Sequence, residues 1–322
     1  MGQPVYAPQM LRKNINGTFI EALMEPRPLS LVDKIATVIP STSDKENYGW
    51  LAEPPIMETW VDNMPMHQLG STGTTAVTGA DEIGYEVKNV TKAGALIFKR
   101  EDLADDKVGG FQTRINDQVN QAFNIADVML IEKLVAGTSD ACYIQVGATA
   151  EAMFSATHAA RGEQTATWSN LLSGAGTAVA NFQTDIAAGL AALYNMLGEN
   201  NQPINRHLRD VFILFPPALE AAMRTAVLAG VIDETSNVSF APSIELISEP
   251  LLTGTSAADW YIGFKDAGSL NGLIWQDREG VMLEEVGEGS EMWTNLRQVE
   301  YATTRRGAAA FGRPQRLLLI NN

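Results

Sequence analysis

Apolar residues recur at a helical period across residues 111–136, and this is the clearest element that the sequence predicts. Gly137 follows the last periodic position, as a glycine commonly does where a helix ends. At 1.5 Å per residue the helix would be a rod of about 39 Å, more than twice the usual length in globular proteins. The periodic positions are Phe111, Ile115, Val119, Ala122, Ala126 and Met129, joined by Phe123, Leu130 and Leu134.

Shorter apolar segments predict two more helices and several short strands downstream of this rod. The helices are "TDIAAGLAALYNML" and "ALEAAMRTAVLAG", and the second follows the pair Pro216 and Pro217. The strands are "DVFILF", "SIELIS", "DWYIGF", "GLIWQ", "VMLEEV" and "RLLLI". The predicted fold class is therefore α+β with one long helix.

Two segments near the start of the chain have too little apolar content to form a core of their own. Residues 1–47 lack sustained periodicity and carry scattered prolines, which predicts an extended arm. Residues 55–98 alternate weakly and are interrupted by "GSTGTTAVTGA", which predicts a long two-stranded excursion ending in "GALIFKR". Because an isolated hairpin is only marginally stable in water, we expect both segments to be ordered by a partner surface.

The composition is that of a globular chain with a strongly acidic middle. With 322 residues and 45% hydrophobic content, it can bury a sizeable core and fits about two domains. The net charge is −15, made up of +1 for residues 1–40, +4 for residues 297–322 and −20 for the rest. Because a dedicated nucleic-acid binder needs a basic face for its phosphate contacts, this charge excludes that class.

The sequence predicts no signal peptide, no membrane-spanning helix and no disulfide or cysteine-based metal site. No window approaches the roughly 18 uninterrupted apolar residues of a spanning helix, and the first residues lack the apolar core of a signal peptide. The single cysteine, Cys142, rules out an internal disulfide and a cysteine-based zinc site. We expect an unexported protein without membrane contact, in which Cys142 is a small buried hydrophobe.

The run "KREDLADDKVGG" at residues 99–110 is the strongest candidate for metal chemistry, because it holds Glu101, Asp102, Asp105 and Asp106. An EF-hand loop beginning at Asp102 would need glycine at its sixth position and glutamate at its twelfth, where this chain has Lys107 and Thr113. Acidic residues just before a helix cap its free N–H groups and favour its dipole. We therefore predict a helix entry here, and a calcium or magnesium site is the alternative.

Other catalytic patterns are incomplete. Ser155 and His158 lie close together in "FSATHAARG", but no G-x-S-x-G elbow surrounds the serine and no acid completes a triad. His67, His158 and His207 form no paired-ligand spacing, and no glycine-rich phosphate loop is present. We predict no catalytic, cofactor-binding or metal-binding residue, no cofactor and no enzymatic activity.

Several stretches, taken in order along the chain, resemble the major head subunit of Mu-like bacteriophages. The closing run "RRGAAAFGRPQRLLLI" resembles the last strands of tailed-phage capsid proteins, in which an Arg-Pro pair precedes a final apolar strand. The other stretches are "IPSTSDKENYGWLAEPPIMETW", "KREDLADDKVGG", "MFSATH", "FILFPPALEAAM" and "GLIWQDREGVML".

This resemblance implies the Hong Kong 97-like capsid fold. The arm and the extended loop of that fold would correspond to the two segments that lack a core, with neighbouring subunits as the partner surface. The implied divisions are an N-terminal arm at 1–50, an extended loop at 51–98, a peripheral domain at 99–183 with its spine helix at 111–136, an axial domain at 184–275 and return strands of the peripheral domain at 276–322.

The function that the resemblance implies is assembly. Copies of the chain would form the pentamers and hexamers of an icosahedral phage head around double-stranded DNA, which the acidic wall would contact weakly and without sequence specificity. Further expected partners are scaffold and portal proteins, with decoration proteins as additional candidates. The chain would assemble in the bacterial cytoplasm and reside in the virion capsid. The alternatives are an encapsulin-like compartment shell and a divalent-cation-dependent hydrolase.

Overall fold

A computed structural model gives the fold of the chain. It describes residues 30–48, 51, 60–61, 64–65, 85–99, 108–146, 149–160, 164–198, 201–228, 231–232, 235–236, 243–252, 258–265, 270–286 and 290–322. Elements are numbered below in chain order within these residues. The helices are α1 (Leu31–Ile35), α2 (Val108–Val135), α3 (Val179–Asn195), α4 (Glu220–Leu228) and α5 (Glu291–Thr294).

The strands form two main sheets and several short two-stranded ribbons. The longest strands, β15 and β16, have 14 residues each. The strands are β1 (Ala36–Pro40), β2 (Lys45–Asn47), β3 (Trp60–Val61), β4 (Met64–Pro65), β5 (Glu86–Lys88), β6 (Val90–Lys99), β7 (Ala141–Val146), β8 (Thr149–Ala152), β9 (Leu171–Ser173), β10 (Asp210–Phe215), β11 (Val231–Ile232), β12 (Thr235–Ser236), β13 (Ser243–Ser248), β14 (Trp260–Phe264), β15 (Leu273–Val286), β16 (Gln298–Phe311) and β17 (Leu317–Asn321).

The first main sheet has the strand order β1-β15-β16-β6, and α2 packs on one of its faces. Strand β1 is parallel to β15, whereas the other two pairs are antiparallel. Val119 of α2 packs in a small core with Phe98, Val299 and Tyr301, and all four are buried. This burial fixes which face of the sheet is covered.

The second main sheet, in the order β13-β10-β14-β17-β9, is buried on both faces. Because side chains alternate along a strand, Val211 and Ile213 of β10 pack with the core of α3 and α4, while Phe212 and Leu214 pack with the core that includes the end of α2. Strand β14 has all five residues buried. Such strands are continuous apolar runs, as the sequence of β10 already shows.

The predicted long helix is confirmed, with bounds of Val108–Val135 in place of 111–136. Its 28 residues correspond to a length of about 42 Å. Gly137 lies in the short 3-10 turn that follows, where a Cβ would sit 2.6 Å from the ring of Phe154. The helix therefore ends where its next turn must pack tightly against that ring.

Most downstream elements were also predicted correctly, including "DVFILF" and "SIELIS" to the residue. Cys142 lies in the core, as expected, and Trp260 and Trp275 are buried there too. The segments "GLIWQ" and "VMLEEV", however, belong to the single strand β15, which continues through irregular pairing between Asp277 and Met282. The polar run Asp277, Arg278 and Glu279 separates the two apolar segments at this point, so the sequence pattern predicts two strands where the structure has one.

The arm prediction is wrong for residues 31–48, because this stretch packs against its own chain. Leu31, Val32 and Ile35 of α1 are buried in the main core, and β1 pairs along its whole length with β15. Ser30 caps α1 by accepting a hydrogen bond from the Val32 backbone. Five-residue elements are too short to show periodicity, and residues 1–29 lie outside the described part of the chain.

The predicted pairing partners also need two corrections. Strand β6, expected to pair within a hairpin over residues 55–98, pairs with β16 instead, and β5 pairs with β2. Strand β17, expected among the return strands of the peripheral domain, pairs with β14 in the second sheet. The last apolar strand has its first four residues buried, and only a position inside a covered sheet satisfies that requirement.

The contact of α2 with the main core should dominate the stability of this region. Replacing the fully buried Leu130 by Ala should lower the free energy of unfolding by about 3 kcal/mol, because a cavity remains between α2 and the core. Replacing Val135, which is 36% exposed, by Ala should change it by less than about 0.5 kcal/mol. Urea denaturation of both variants measures the difference, and equal effects would contradict this packing.

Candidate functional site

The face of the four-stranded sheet that points away from α2 is the most distinctive surface of the described chain. Residues paired across neighbouring strands point to the same side of a sheet. One row across β15, β16 and β6 is Val286, Glu300 and Ile97, and another is Met282, Thr304 and Ala93. The row between these two is Glu284, Ala302 and Ala95. We call this surface the open sheet face and define it by Ala93, Ala95, Ile97, Met282, Glu284, Val286, Glu300, Ala302 and Thr304.

The open sheet face is more apolar than solvent-facing sheet surfaces usually are. Ile97 is 54% exposed, Met282 44% and Val286 40%. Three alanines share the face with them, together with the acidic residues Glu284 and Glu300. Antiparallel sheets with one solvated face normally place polar residues there. Several large apolar side chains exposed on one sheet face indicate an interaction site, so this face is a candidate docking surface.

Strand β6 adds an open backbone edge to this surface. In the described part of the chain it forms the end of the sheet, with β16 as its only neighbour. Eight of its ten residues are exposed. An edge strand of this length offers a row of backbone donors and acceptors to another chain.

A buried polar network fastens the two-stranded ribbon of β2 and β5 to the sheet. The Tyr48 hydroxyl donates to Gln276 Oε1 at 2.8 Å, and Gln276 Nε2 donates to Asn89 Oδ1 at 2.7 Å. Asn89 Nδ2 in turn donates to Ser41 Oγ at 2.9 Å. The network continues to Glu46, so the ends of the segment between β2 and β5 are held in fixed positions beside β15.

Glu46 closes this network at the surface. Its Oε1 accepts hydrogen bonds from Ser41 Oγ at 2.8 Å, from Thr42 N at 2.9 Å and from Ser43 N at 3.1 Å. These bonds, that of Ser41 first, lower the pKa of Glu46 to about 2. The carboxylate is thus the hydrogen-bond acceptor for two backbone N–H groups in the turn after β1.

Most of the candidate residues for metal or catalytic chemistry lie in parts of the chain that the structure does not describe. Glu101, Asp102, Asp105, Asp106 and His67 lie outside the described residues. Among the residues that are described, no group of three or more His, Cys, Asp or Glu side chains could hold a metal ion. Within the same residues, no helix is both long and apolar enough to cross a membrane.

His158 is described, and it has a structural environment. The ring is fully buried and stacks on Trp168, with ring centroids 4.2 Å apart. Its Nδ1 lies 2.8 Å from Glu151 Oε2 and its Nε2 lies 3.0 Å from Asn170 Oδ1. Both ring nitrogens therefore have partners other than Ser155, whose Oγ accepts from Thr157 N.

Comparison with known proteins identifies the family. The sequence profile of "Mu-like prophage major head subunit gpT" matches residues 9–184, which is more than half of the chain. The chain belongs to the Mu-like major head subunit family.

Two relatives support this assignment over shorter segments. The Mu-like prophage FluMu major head subunit of Haemophilus influenzae is 30% identical over 110 residues, covering 34% of this chain and 32% of that protein. The major capsid protein of Escherichia phage Mu is 26% identical over 114 residues, covering 35% and 34%. In these alignments the chain spans about a third of the length of each relative.

Solved structures show that this chain has the Hong Kong 97-like fold. The procapsid of bacteriophage JBD30 matches with a TM-score of 0.52 at 18% identity, covering 98% of this chain and 74% of that one. The mature capsid of bacteriophage PhiM1 matches with a TM-score of 0.53 at 8% identity, covering 92% and 88%. The predicted fold class is thereby confirmed.

The open sheet face of this chain was not predicted from the sequence. The alternation in "QVEYATT" indicates a strand with one buried face, whereas "VMLEEV" does not alternate. Only the pairing of β15, β16 and β6 shows that the outward positions of three strands form one surface.

Asn170 should be a main structural anchor of the loop that holds His158. It is fully buried, its Oδ1 accepts from Ser155 N, and its Nδ2 donates to Met153 O at 2.8 Å and Pro314 O at 3.2 Å. Replacing Asn170 by Ala should lower the free energy of unfolding by about 3 kcal/mol, because several buried groups lose their partners.

The matched control for this variant is Asn181→Ala, which removes one exposed hydrogen bond to Ala175 O. Its cost should stay below about 1 kcal/mol. Chemical denaturation followed by tryptophan fluorescence compares the two. A cost for the Asn170 variant as small as that of the control would contradict the anchoring role.

The lowered pKa of Glu46 predicts an acid-sensitive contribution to stability. The group stabilises the fold fully above its ordinary pKa of 4.5, and this contribution is lost as the pH falls toward 2. The melting temperature of Glu46→Gln should therefore lie below that of the wild type at pH 6, with the gap narrowing toward pH 2. Glu86→Gln, which removes only an exposed ion pair with Lys45, is the control. A gap independent of pH would refute the prediction.

Proposed function

We propose that this chain is a major capsid protein that assembles with copies of itself into the pentamers and hexamers of an icosahedral phage head. The observation that carries the proposal is the match of the Mu-like head subunit family over residues 9–184. The open sheet face supports it, because an exposed apolar face next to an open strand edge needs a partner.

The proposed role of the chain is mechanical and involves no catalysis. Each subunit would contact several neighbours, and multivalent contacts turn modest interfaces into a durable shell. The shell would enclose double-stranded DNA, and the net charge of −15 suits a container that holds phosphates weakly and without sequence specificity. The family match favours this interpretation over a compartment shell or a cation-dependent hydrolase.

The proposed domain division follows the two sheets. The peripheral part would contain α2 with the β1-β15-β16-β6 sheet, and the axial part would contain α3, α4 and the second sheet. The arm and extended loop that the resemblance implies, at 1–50 and 51–98, fall mostly outside the described residues. Scaffold, portal and decoration proteins would be partners during assembly in the host cytoplasm, and the finished protein would reside in the virion capsid.

Charge placed on the open sheet face should block assembly without unfolding the subunit. The double variant Ile97→Glu, Met282→Glu should melt close to the wild-type temperature, because both side chains are at least 44% exposed. It should nevertheless form no closed particles, because burying two unpaired carboxylates in an interface costs several kcal/mol. Negative-stain microscopy and light scattering of the purified protein measure this outcome.

The conservative variant Ile97→Val is the matched control and should assemble as the wild type does. Particles of normal yield from the double glutamate variant would exclude the open sheet face as an assembly surface. A wild-type chain that stays monomeric at high concentration, with and without a co-expressed scaffold protein, would contradict the proposed function itself.

A further inference from the structure

A small cleft lies on the other side of β6, between that strand and α2. Its volume is about 130 Å³, and its polar lining consists of Lys92, Gln118, Gln121, Thr303 and Arg305. Pockets for metabolites and cofactors usually measure about 300–1,000 Å³, so this cleft suits a single side chain better than a small-molecule ligand. It opens beside the strand edge described above.

Two cations lie next to each other in this cleft. Lys92 and Arg305 are directly paired across β6 and β16, so both side chains point toward α2. Like charges in directly opposed positions of a sheet destabilise it. The arrangement therefore favours an anion that would contact both groups.

Arg305 is mostly buried, and its guanidinium lies 5.2 Å from the centroid of the Trp275 ring. Its side chain is 16% exposed, and its nearest carboxylate, on Asp277, lies 4.0 Å from Nη2. Nη1 donates to the Phe123 carbonyl at 2.8 Å, whereas the buried Nε has no acceptor among the described residues. Burial lowers the pKa of Arg305 more than the carboxylates of Asp277, Asp127 and Asp33 together raise it, so a further anion at the cleft would stabilise the charged guanidinium.

The other polar groups leave donors free for a ligand. Gln118 Nε2 is already used, because it donates to Gly94 O and to Thr303 Oγ1. Lys92 and Gln121, both exposed, form no ion pair or hydrogen bond within the described chain. An ammonium, a guanidinium and an amide are the donor types that bind a carboxylate.

We propose that this cleft binds the carboxylate of an aspartate or glutamate side chain from a second copy of this chain. The inference rests on the proposed assembly function, which brings such copies together. Charge complementarity supports this occupant, because the chain carries 38 acidic residues and a net charge of −15. The cleft also adjoins the edge of β6, next to the open sheet face.

A zero-length cross-link tests the contact directly. Carbodiimide activates a carboxylate and is released as its urea, and an amide then forms with a lysine amine in contact with that carboxylate. Assembled particles made from equal amounts of ¹⁴N and ¹⁵N chains are treated with the carbodiimide and digested. Mass spectrometry should find Lys92 joined to an Asp or Glu peptide, with mixed-isotope pairs that prove contact between two copies.

Two variants of Lys92 complete the experiment. Lys92→Glu should reduce the fraction of chain in particles by about tenfold or more, because it places a carboxylate opposite a carboxylate. Lys92→Arg keeps the charge, so it should assemble normally while losing the amide cross-link. Circular dichroism of the unassembled variants confirms that both are folded.

The outcomes separate this inference from the proposed function. Wild-type particles whose Lys92 cross-links only within one chain, or not at all, would overturn the cleft contact and leave assembly intact. Normal assembly of Lys92→Glu with loss of retained DNA would assign the cleft to phosphate and would likewise overturn it. If the wild-type chain forms no particles, both the proposed assembly function and the proposed cleft contact are contradicted.

Discussion

The antiparallel pairing of β15 with β16 is the constraint on which the rest of the structure depends. Each strand has 14 residues, and the first half of β15 lies in the main core while the second half lies under α2. This one pair therefore connects the two main regions of the chain. Strand β1 pairs with the buried end of β15, and β6 pairs along β16. The described parts of the two N-terminal segments that have too little apolar content to form a core are thus joined to this sheet.

Covering only one face of this sheet has a direct functional consequence. Helix α2 contributes one apolar stripe, which is enough to bury Phe98, Val299 and Tyr301 but leaves the opposite face with Ile97 and Met282 exposed. In a monomer these apolar side chains stay in water and do not stabilise the fold. An assembling subunit can bury them against another chain, which is favourable. The proposed capsid function thus agrees with the incompleteness of the monomer as well as with the family assignment.

Polar networks hold the segments that leave the sheets. Tyr48, Gln276 and Asn89 fix the ends of the β2 and β5 ribbon, and Asn170 connects the His158 loop to the carbonyl of Pro314. Buried polar groups are costly unless every donor and acceptor finds a partner, and a satisfied network therefore specifies one arrangement. Rigid attachment makes the position of the β2 and β5 ribbon reproducible from one copy to the next.

The sequence by itself determined the long helix, the buried strands "DVFILF" and "SIELIS", the α+β class and, through its family resemblance, the Hong Kong 97-like fold. Those elements are local, because periodicity and apolar runs depend on neighbours in the chain. Only the tertiary structure decided that β1 belongs to the core, that β17 joins the second sheet and that Lys92 lies beside Arg305. Strand register is set by contacts between distant residues, and a shift of one residue would turn every side chain to the other face.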